Sequence, residues 1–233
     1  AVELFKETSM ISVILSSSYR LDDDNKARKW NRNEAILGGL MVRMSKLALG
    51  MLDQVCQKRR EISEIIFRSL TETVINIKYL LTKNTPEVYD EFVEYSLRSE
   101  KRLLNEINQN ILKRGSELPI ESRMKKSIMA SVSDSGLELD QVNENCYKPW
   151  GEKILERAKE IGMGDAYFYI FSLPSHAVHG NWQDILTHHV ICHDDEFEPN
   201  TEWSMPRPQQ LLFLIMLVSE VNNEYLDAIL PDC

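Results

Sequence analysis

Apolar side chains recur every three or four residues through two long stretches of this chain, and this spacing limits the fold more than any other feature. The first stretch runs from about Glu34 to Gln57, and the second runs from about Glu61 to Leu81. A repeat of this kind is typical of an α-helix that buries one face. The second stretch is apolar on nearly all sides, which predicts a central helix that its neighbours cover on most faces.

The rest of the chain is predicted to be helical as well, with one exception near its end. Further helices are expected at about 2–18, 86–113, 119–133, between Gly151 and Ile161, at 165–179 and at 208–229. The β-branched residues from Ile185 to Ile191 and the turn residues that follow predict a short hairpin within 185–203. We therefore expect an all-α fold, a single-domain helical bundle with a short β-hairpin before the last helix.

A polar break divides the chain near its N-terminus. The run from Asp22 to Asn25 contains three aspartates and an asparagine, which favour a turn or a linker. We therefore expect residues 1–33 to form an N-terminal helix and a polar linker, and residues 34–233 to form the helical bundle domain.

Charge and cysteine content exclude several classes of protein. The 233 residues include 36 acidic and 27 basic side chains and carry a net charge of −9, whereas surfaces that bind DNA without sequence preference are basic. Cys56, Cys146, Cys192 and Cys233 show no CxxC spacing, which predicts reduced thiols. No apolar run approaches the length that spans a bilayer, and the N-terminus lacks a signal-peptide pattern. We expect a cytoplasmic protein without membrane association or generic DNA binding.

All the histidines of the chain lie in one short segment. They are His176, His179, His188, His189 and His193. Imidazole exchanges protons near neutral pH and also binds metal ions. The last three histidines and Cys192 show no known ligand spacing, whether the segment is a strand or a helix. We therefore expect no metal site and no cofactor, and we expect these three histidines to be exposed on the hairpin.

Arg68 and Glu72 lie four residues apart on the predicted central helix. Because this helix is apolar nearly all round, both side chains are expected to be at least partly buried, and buried charges need partners. The order of the pair, with the base before the acid, is the less favourable one on an exposed helix. Two interpretations remain open, namely a buried salt bridge that fixes helix packing and a pair that lines a functional pocket.

Ser175, His176 and His179 lie near the C-terminal end of the predicted helix that precedes the hairpin. An imidazole in the last turn feels the negative end of the helix dipole, which suits a proton donor or a phosphate-binding cation. The alternatives are a capping role for His179 and a packing role for His176. Since polar exceptions on apolar helices tend to be buried together, we predict that Arg68, Glu72, Ser175 and His179 line one cavity.

Three groups of residues stand at a recognisable spacing. They are Arg68, Glu72 and Tyr79; then Pro149, Trp150 and Gly151; and then Tyr167, Tyr169, Ser172, Ser175, His176, His179 and Gly180. Over roughly residues 34–229, the chain resembles a widespread, largely uncharacterised bacterial family of helical proteins that is catalogued as a domain of unknown function. In general appearance this family is similar to the HEPN superfamily, which includes ribonucleases of toxin–antitoxin and phage-defence systems.

The HEPN resemblance implies a metal-independent endoribonuclease with RNA as its substrate. HEPN ribonucleases carry an arginine a few residues before the catalytic histidine, usually paired across a dimer. This chain departs from that pattern, because Phe171, Ser172 and Leu173 stand where the arginine is expected. The resemblance therefore implies that Arg68, from a neighbouring helix, takes the missing role.

Two functions from different classes follow. The first is RNA cleavage, in which His179 is the general acid or base, Arg68 stabilises the phosphorane and Glu72 orients Arg68, with Ser175 and His176 in the same site. The second is a non-catalytic helical interaction module, a partner or regulatory subunit of a defence or toxin–antitoxin system. The expected partners are RNA in the first case, and a second copy of the chain or another protein in the second.

Overall fold

The computed structural model describes residues 1–18, 24, 26–194 and 196–229, and these residues are mostly helical. The helices are α1 Val2–Ser16, α2 Arg32–Cys56, α3 Arg60–Lys83, α4 Pro86–Arg114, α5 Pro119–Ser135, α6 Ile154–Glu160, α7 Ser175–His179, α8 Trp182–Asp184 and α9 Pro208–Ile229. Shorter turns are the π-helical segments Phe168–Ser172 and Ile185–His189 and the 3-10 turn Leu139–Gln141. An antiparallel hairpin pairs β1 (Val190–His193) with β2 (Glu196–Pro199). The predicted all-α fold with a short hairpin before the last helix is confirmed.

The chain packs as two compact units. Unit 1 comprises Ala1–Thr82 and Ile154–Cys233, and unit 2 comprises Lys83–Lys153. The polar linker predicted before residue 34 lies largely outside the described residues, which omit 19–23 and 25. The division predicted at residues 33 and 34 therefore stays a prediction.

α2 and α3 are the long helices that the apolar periodicity predicts. Asn31 caps α2, because its side chain accepts a hydrogen bond from the Glu34 amide at 3.0 Å while Glu34 accepts one from the Asn31 amide at 2.9 Å. The fully buried apolar side chains of α3 are Leu70, Val74, Ile75, Ile77 and Leu80. α3 is therefore the central helix that the sequence predicts.

α2 is also the one helix among the described residues that is long and apolar enough to cross a membrane. The expectation that no segment approaches this length is wrong for α2, because few charged residues interrupt it. Length and composition alone are weak evidence, since core helices share both properties. Met41, Met44 and Ala48 of this helix are fully buried within unit 1.

α1 buries one large apolar side chain, Phe5, and otherwise small hydroxyl residues. Thr8, Ser9, Ser12 and Ser16 are buried, and the Ser12 hydroxyl donates to Asn222 Oδ1 of α9 at 2.9 Å. These hydroxyls bond to backbone carbonyls of their own helix, so their burial leaves no donor unsatisfied. The exposed large apolar residues of α1 are Val2, Leu4, Met10, Ile11, Val13 and Ile14. α1 thus packs along α2 and α9 and leaves an apolar face open.

The helix predicted at 165–179 is interrupted. A π-helical segment ends at Ser172, and α7 begins only at Ser175. Pro174 lies between them and has no amide hydrogen with which to continue the helix. Gly180 ends α7 in the left-handed conformation, with a φ of +55°, as expected for the residue that follows a helix.

The strand predicted from Ile185 forms only from Val190 onward. Ile185–His189 is π-helical instead. β-branched residues favour strands, but such preferences yield to tertiary contacts. The contact that decides here is the burial of His188, described below.

Unit 2 is built on the pairing of α4 with α5. Gly115 ends α4 with a φ of +77°, a conformation that allows the chain to turn directly into the next segment. The core of this unit consists of Leu97, Ile107, Ile128, Val132 and Val142.

Candidate functional site

A line of polar side chains follows one face of the central helix α3. Its members are Glu61, Glu64, Arg68, Glu72 and Asn76, and we call them the polar seam. Spacings of three and four residues place them one above another along the helix. Four of the five contact residues between 157 and 204, so the seam holds this later part of unit 1 against α3.

Arg68 is held on three sides. Its Nη1 donates to Glu72 Oε2 at 2.7 Å and its Nε donates to Ser175 Oγ at 3.0 Å. Its guanidinium carbon lies 3.1 Å from the ring centroid of Phe171. The predicted contact with Glu72 is confirmed, and the two side chains are 16% and 44% exposed. This geometry favours the packing interpretation, because Arg68 clamps residues 171–175 onto α3.

His188 is buried at the other end of the polar seam, with 3% of its side chain exposed. Its Nδ1 lies 3.3 Å from Glu61 Oε1, and its Nε2 lies 3.6 Å from Glu64 Oε2. Glu64 also accepts a hydrogen bond from Arg60 Nε at 2.7 Å. The expectation of an exposed hairpin histidine is therefore wrong at this position. The two carboxylates that favour burial of the ring lie far earlier in the chain, where strand alternation gives no sign of them.

The pKa of the Glu61 carboxyl group is lowered from its ordinary value of 4.5. Burial raises this pKa, but hydrogen bonds from its own amide and from the hydroxyl and amide of Ser204 lower it, and so does the charge of His188. The Ser204 amide lies 3.0 Å from Glu61 Oε1. Glu61 is therefore ionised in the folded protein at neutral pH.

His189 and His193 lie at the surface, as expected for hairpin histidines. His189 Nε2 is 3.3 Å from Oδ2 of the buried Asp184, while about half of the His189 side chain, 51%, is exposed. His193 Nε2 is 3.2 Å from Glu198 Oε1 on the neighbouring strand. Each imidazole is thus paired with one carboxylate. Within the described parts of the chain, no three histidine, cysteine or carboxylate side chains are arranged to hold one metal ion.

His176 is oriented by Asn181. Asn181 Oδ1 accepts a hydrogen bond from the Asp184 amide at 3.2 Å and so caps α8. Nδ2 of Asn181 then faces His176 Nδ1, with which it forms a hydrogen bond. Because Nδ2 can only donate, Nδ1 of His176 is the acceptor, and this network assigns the ring proton to Nε2. His176 therefore presents an N–H group on its second nitrogen.

His179 stands apart from the residues with which it was grouped. It is exposed, and no hydrogen bond or ion pair joins it to any described residue. The structure brings Arg68, Glu72 and Ser175 together but leaves His179 at the surface. Three of the four residues therefore contact one another, but none of the four lines the cleft described next, and the shared cavity stays a prediction.

A cleft of about 620 Å³ opens beside the polar seam, and we call it the seam cleft. Its lining residues are Arg60, Glu64, Tyr169, Leu173, Pro174, His176, Ala177, Gln183, Asp184, Thr187, His188, Arg207, Gln209 and Gln210. Of the predicted site residues, His176 alone is among them. Arg60 is engaged by Glu64, whereas Arg207 is exposed and forms no ion pair with a described residue. The cleft thus combines imidazoles, several side-chain amides and a guanidinium that has no ion pair within the described part of the chain.

Sequence reasoning missed several residues of this region, namely Glu61, Glu64, Asp184 and Arg207. Helical spacing could have predicted the two glutamates, because they lie on the same face of α3 as Arg68 and Glu72. Asp184 and Arg207 lie in short segments whose local pattern carries no comparable signal.

Comparison with known proteins gives a family and no activity. A model described as a family of unknown function (DUF5677) matches residues 34–197, which is more than half of the chain. The chain belongs to this family. No curated protein and no solved structure matches it. The resemblance to a domain of unknown function is therefore confirmed, while the likeness of this DUF5677 protein to the HEPN superfamily stays a prediction.

Replacing Arg68 with alanine in this DUF5677 protein should lower the free energy of unfolding by about 1–3 kcal/mol, because Ser175 and Glu72 lose their common donor. Arg68→Lys keeps a charge near Glu72 but loses the contact with Phe171, so we expect a smaller loss. Urea denaturation followed by circular dichroism measures both. Lys159→Ala, in an exposed pair, is the control and should match wild type. Equal free energies of unfolding for Arg68→Ala and Lys159→Ala would contradict the inference that Arg68 holds residues 171–175 against α3.

Glu61 should make the stability of the protein fall in acid. Because its pKa is lower in the folded than in the unfolded chain, its contribution is present above about pH 4.5 and is lost as the pH falls through the folded-state pKa. Between about pH 6 and pH 3, wild type should therefore lose more free energy of unfolding than Glu61→Gln. Denaturation at a series of pH values measures this, and parallel profiles for the two proteins would show that the inferred shift is absent.

Proposed function

We propose that this protein is a metal-independent RNA-cleaving enzyme whose reaction takes place at the seam cleft. The observation that supports the proposal is that one cleft is lined by two imidazoles, His176 of α7 and His188, and by the guanidinium of Arg207, which forms no ion pair with a described residue. RNA cleavage without a metal ion needs a group that moves a proton and a cation that stabilises the phosphorane. Imidazole and guanidinium are the side chains suited to these two tasks.

His179 moves the proton in the proposed reaction. Its neutral ring takes the proton of the ribose 2′-hydroxyl as the 2′-oxygen bonds to phosphorus, and it returns this proton to the 5′-oxygen as the P–O5′ bond breaks. No described residue holds its ring nitrogens, so both are available for the exchange. His179 is not among the lining residues of the cleft. Because residues three apart on a helix are neighbours, the proposal places it beside His176, at the margin of the cleft.

His176 and Arg207 stabilise the charge that develops on the phosphorane. His176 donates its Nε2 hydrogen to a non-bridging oxygen, and the Arg207 guanidinium contacts the same group. Arg68, Glu72 and Ser175 do not contact the substrate in this proposal. Their contacts with one another hold the start of α7 in place. They are positioning residues in this proposal.

The setting that the HEPN resemblance implies, a bacterial toxin or phage-defence system in the cytoplasm, is compatible with this activity. The net charge of −9 disfavours broad attraction of RNA to the whole surface. Recognition would therefore depend on the local groups of the seam cleft.

Incubation with labelled single-stranded RNA in the presence of EDTA tests the proposal. Wild type should give fragments that end in a 2′,3′-cyclic phosphate and a 5′-hydroxyl. His179→Ala and Arg207→Ala should each lower the rate by about 100-fold or more, because each loses a group used in the transition state. His193→Ala is the matched control, since this exposed histidine pairs with Glu198 on the hairpin. The proposal fails if wild type does not cleave, or if His179→Ala and His193→Ala cleave equally fast.

A second candidate function, a non-catalytic interaction module, is favoured by the apolar face of α1. Leu4, Ile11 and Ile14 on this face are 50%, 51% and 64% exposed. α9 packs along α1 and adds Leu212 and Met216, which are 50% and 61% exposed. Exposed apolar side chains grouped on one helix are a feature of sites that interact with another protein. Its occupant in this second proposal is another copy of the chain.

Sedimentation velocity at a series of protein concentrations tests whether the chain self-associates through α1. Wild type should form dimers, and Ile14→Glu should shift the equilibrium to monomers while its circular dichroism spectrum is unchanged. Leu112→Glu, at an 82% exposed apolar position of unit 2, controls for the added charge and should behave as wild type. Wild type that stays monomeric at all concentrations would exclude self-association through α1.

A further inference from the structure

Tyr169 is an aromatic ring left open at the seam cleft. It lines the cleft and is 68% exposed, although the next two residues, Ile170 and Phe171, are buried. The ring therefore contributes little to the core. Every nucleobase has a flat apolar face, so an exposed ring beside a polar cleft can stack on a base of any type.

Arg207 supplies the cation that such a ligand needs. Its guanidinium fits a phosphate group through two parallel hydrogen bonds. The carboxylates of the cleft do not oppose an anion strongly, because Glu64 faces Arg60 and His188, and Asp184 faces His189. The Nε2–H group of His176 adds a further donor on the same cleft.

The remaining polar groups of the cleft suit the edge of a base. Gln183, Gln209 and Gln210 line it, and a side-chain amide both donates and accepts hydrogen bonds, as the edge of a base does. Oε1 of Gln210 is buried and has no partner among the described residues, so an N–H group of a ligand would satisfy it. The volume of about 620 Å³ falls within the range of about 300–1,000 Å³ that is usual for small-ligand sites.

We infer that the seam cleft binds one nucleotide unit, with its base stacked on Tyr169, its base edge on Gln210 and its phosphate on Arg207. A simple inorganic anion would use Arg207 alone and would leave Tyr169 and the amides without a role. The inference rests on the proposed function, because the nucleotide is the unit of RNA beside the cleaved bond. A free nucleoside phosphate has the same chemistry, and the test separates these two sources.

Isothermal titration calorimetry with uncleavable probes tests the inference. The probes are inorganic phosphate, the four ribonucleoside 3′-monophosphates and a 2′-O-methyl tetranucleotide. At least one mononucleotide should bind about tenfold or more tightly than phosphate, because stacking adds to the phosphate contact. Tetranucleotide binding that is tighter than mononucleotide binding identifies RNA as the source, and equal affinities identify a free nucleotide.

Variants assign the contacts. Tyr169→Ala should weaken nucleotide binding by about tenfold or more and leave phosphate binding unchanged, whereas Tyr169→Phe should retain both. Arg207→Ala should weaken the binding of both ligands, and Gln210→Ala should change the preference among the four nucleotides. Tyr147→Ala is the matched control, because this tyrosine is 89% exposed and belongs to unit 2. Its affinities should equal those of wild type.

The outcomes separate this inference from the proposed function. Nucleotides that bind no more tightly than phosphate, or equal affinities for Tyr169→Ala and Tyr147→Ala, would overturn the inference even if RNA is cleaved. Binding that depends on Tyr169 in a protein that cleaves no RNA would support the nucleotide site and contradict the enzyme.

Discussion

A row of ionisable groups on a helix that is mostly buried is the constraint on which the rest of unit 1 depends. Burying an unpaired charge costs several kcal/mol, so a central helix can carry such groups only if the rest of the fold supplies partners. The carboxylates of Glu61 and Glu64 contact the imidazole of His188, and Arg68 donates a hydrogen bond to Ser175. The chain after residue 154 must therefore return to α3, and the polar seam decides where it lies.

The seam cleft is a consequence of this pairing. His188 draws the segment 185–189 onto α3, and this places Asp184 and Thr187 at the wall of the cleft. The hydrogen bond from Arg68 to Ser175 likewise holds the start of α7 against α3, and this helix contributes His176 to the cleft. Most charged groups of the polar seam are paired with other residues of the fold. The groups that remain for a ligand, such as His176, Tyr169 and Arg207, lie on other segments that line the cleft.

The two proposed functions use different surfaces. One surface exposes aliphatic side chains, and the other exposes an aromatic ring and a guanidinium. α1 buries hydroxyls and exposes aliphatic side chains, because small residues let it lie close against α2 and α9 while their hydroxyls bond within the helix. The seam cleft instead leaves Tyr169 and Arg207 exposed beside a densely paired polar region. The two proposals use different residues, although α9 contributes to both, with Gln209 and Gln210 at the cleft and with Leu212 and Met216 on the exposed apolar face.

The sequence by itself determined the long helices and the central place of α3, because helical periodicity and capping depend on residues only a few positions apart. It also indicated that Arg68 and Glu72 are paired, since both lie on one apolar helix. Only the tertiary structure decided that His188 is buried, that residues 185–189 are not a strand, and that His176 rather than His179 lines the cleft. These outcomes depend on contacts such as Arg68 with Ser175, which are 107 residues apart. Local periodicity carries no information about such contacts, because it does not specify which faces of distant segments meet.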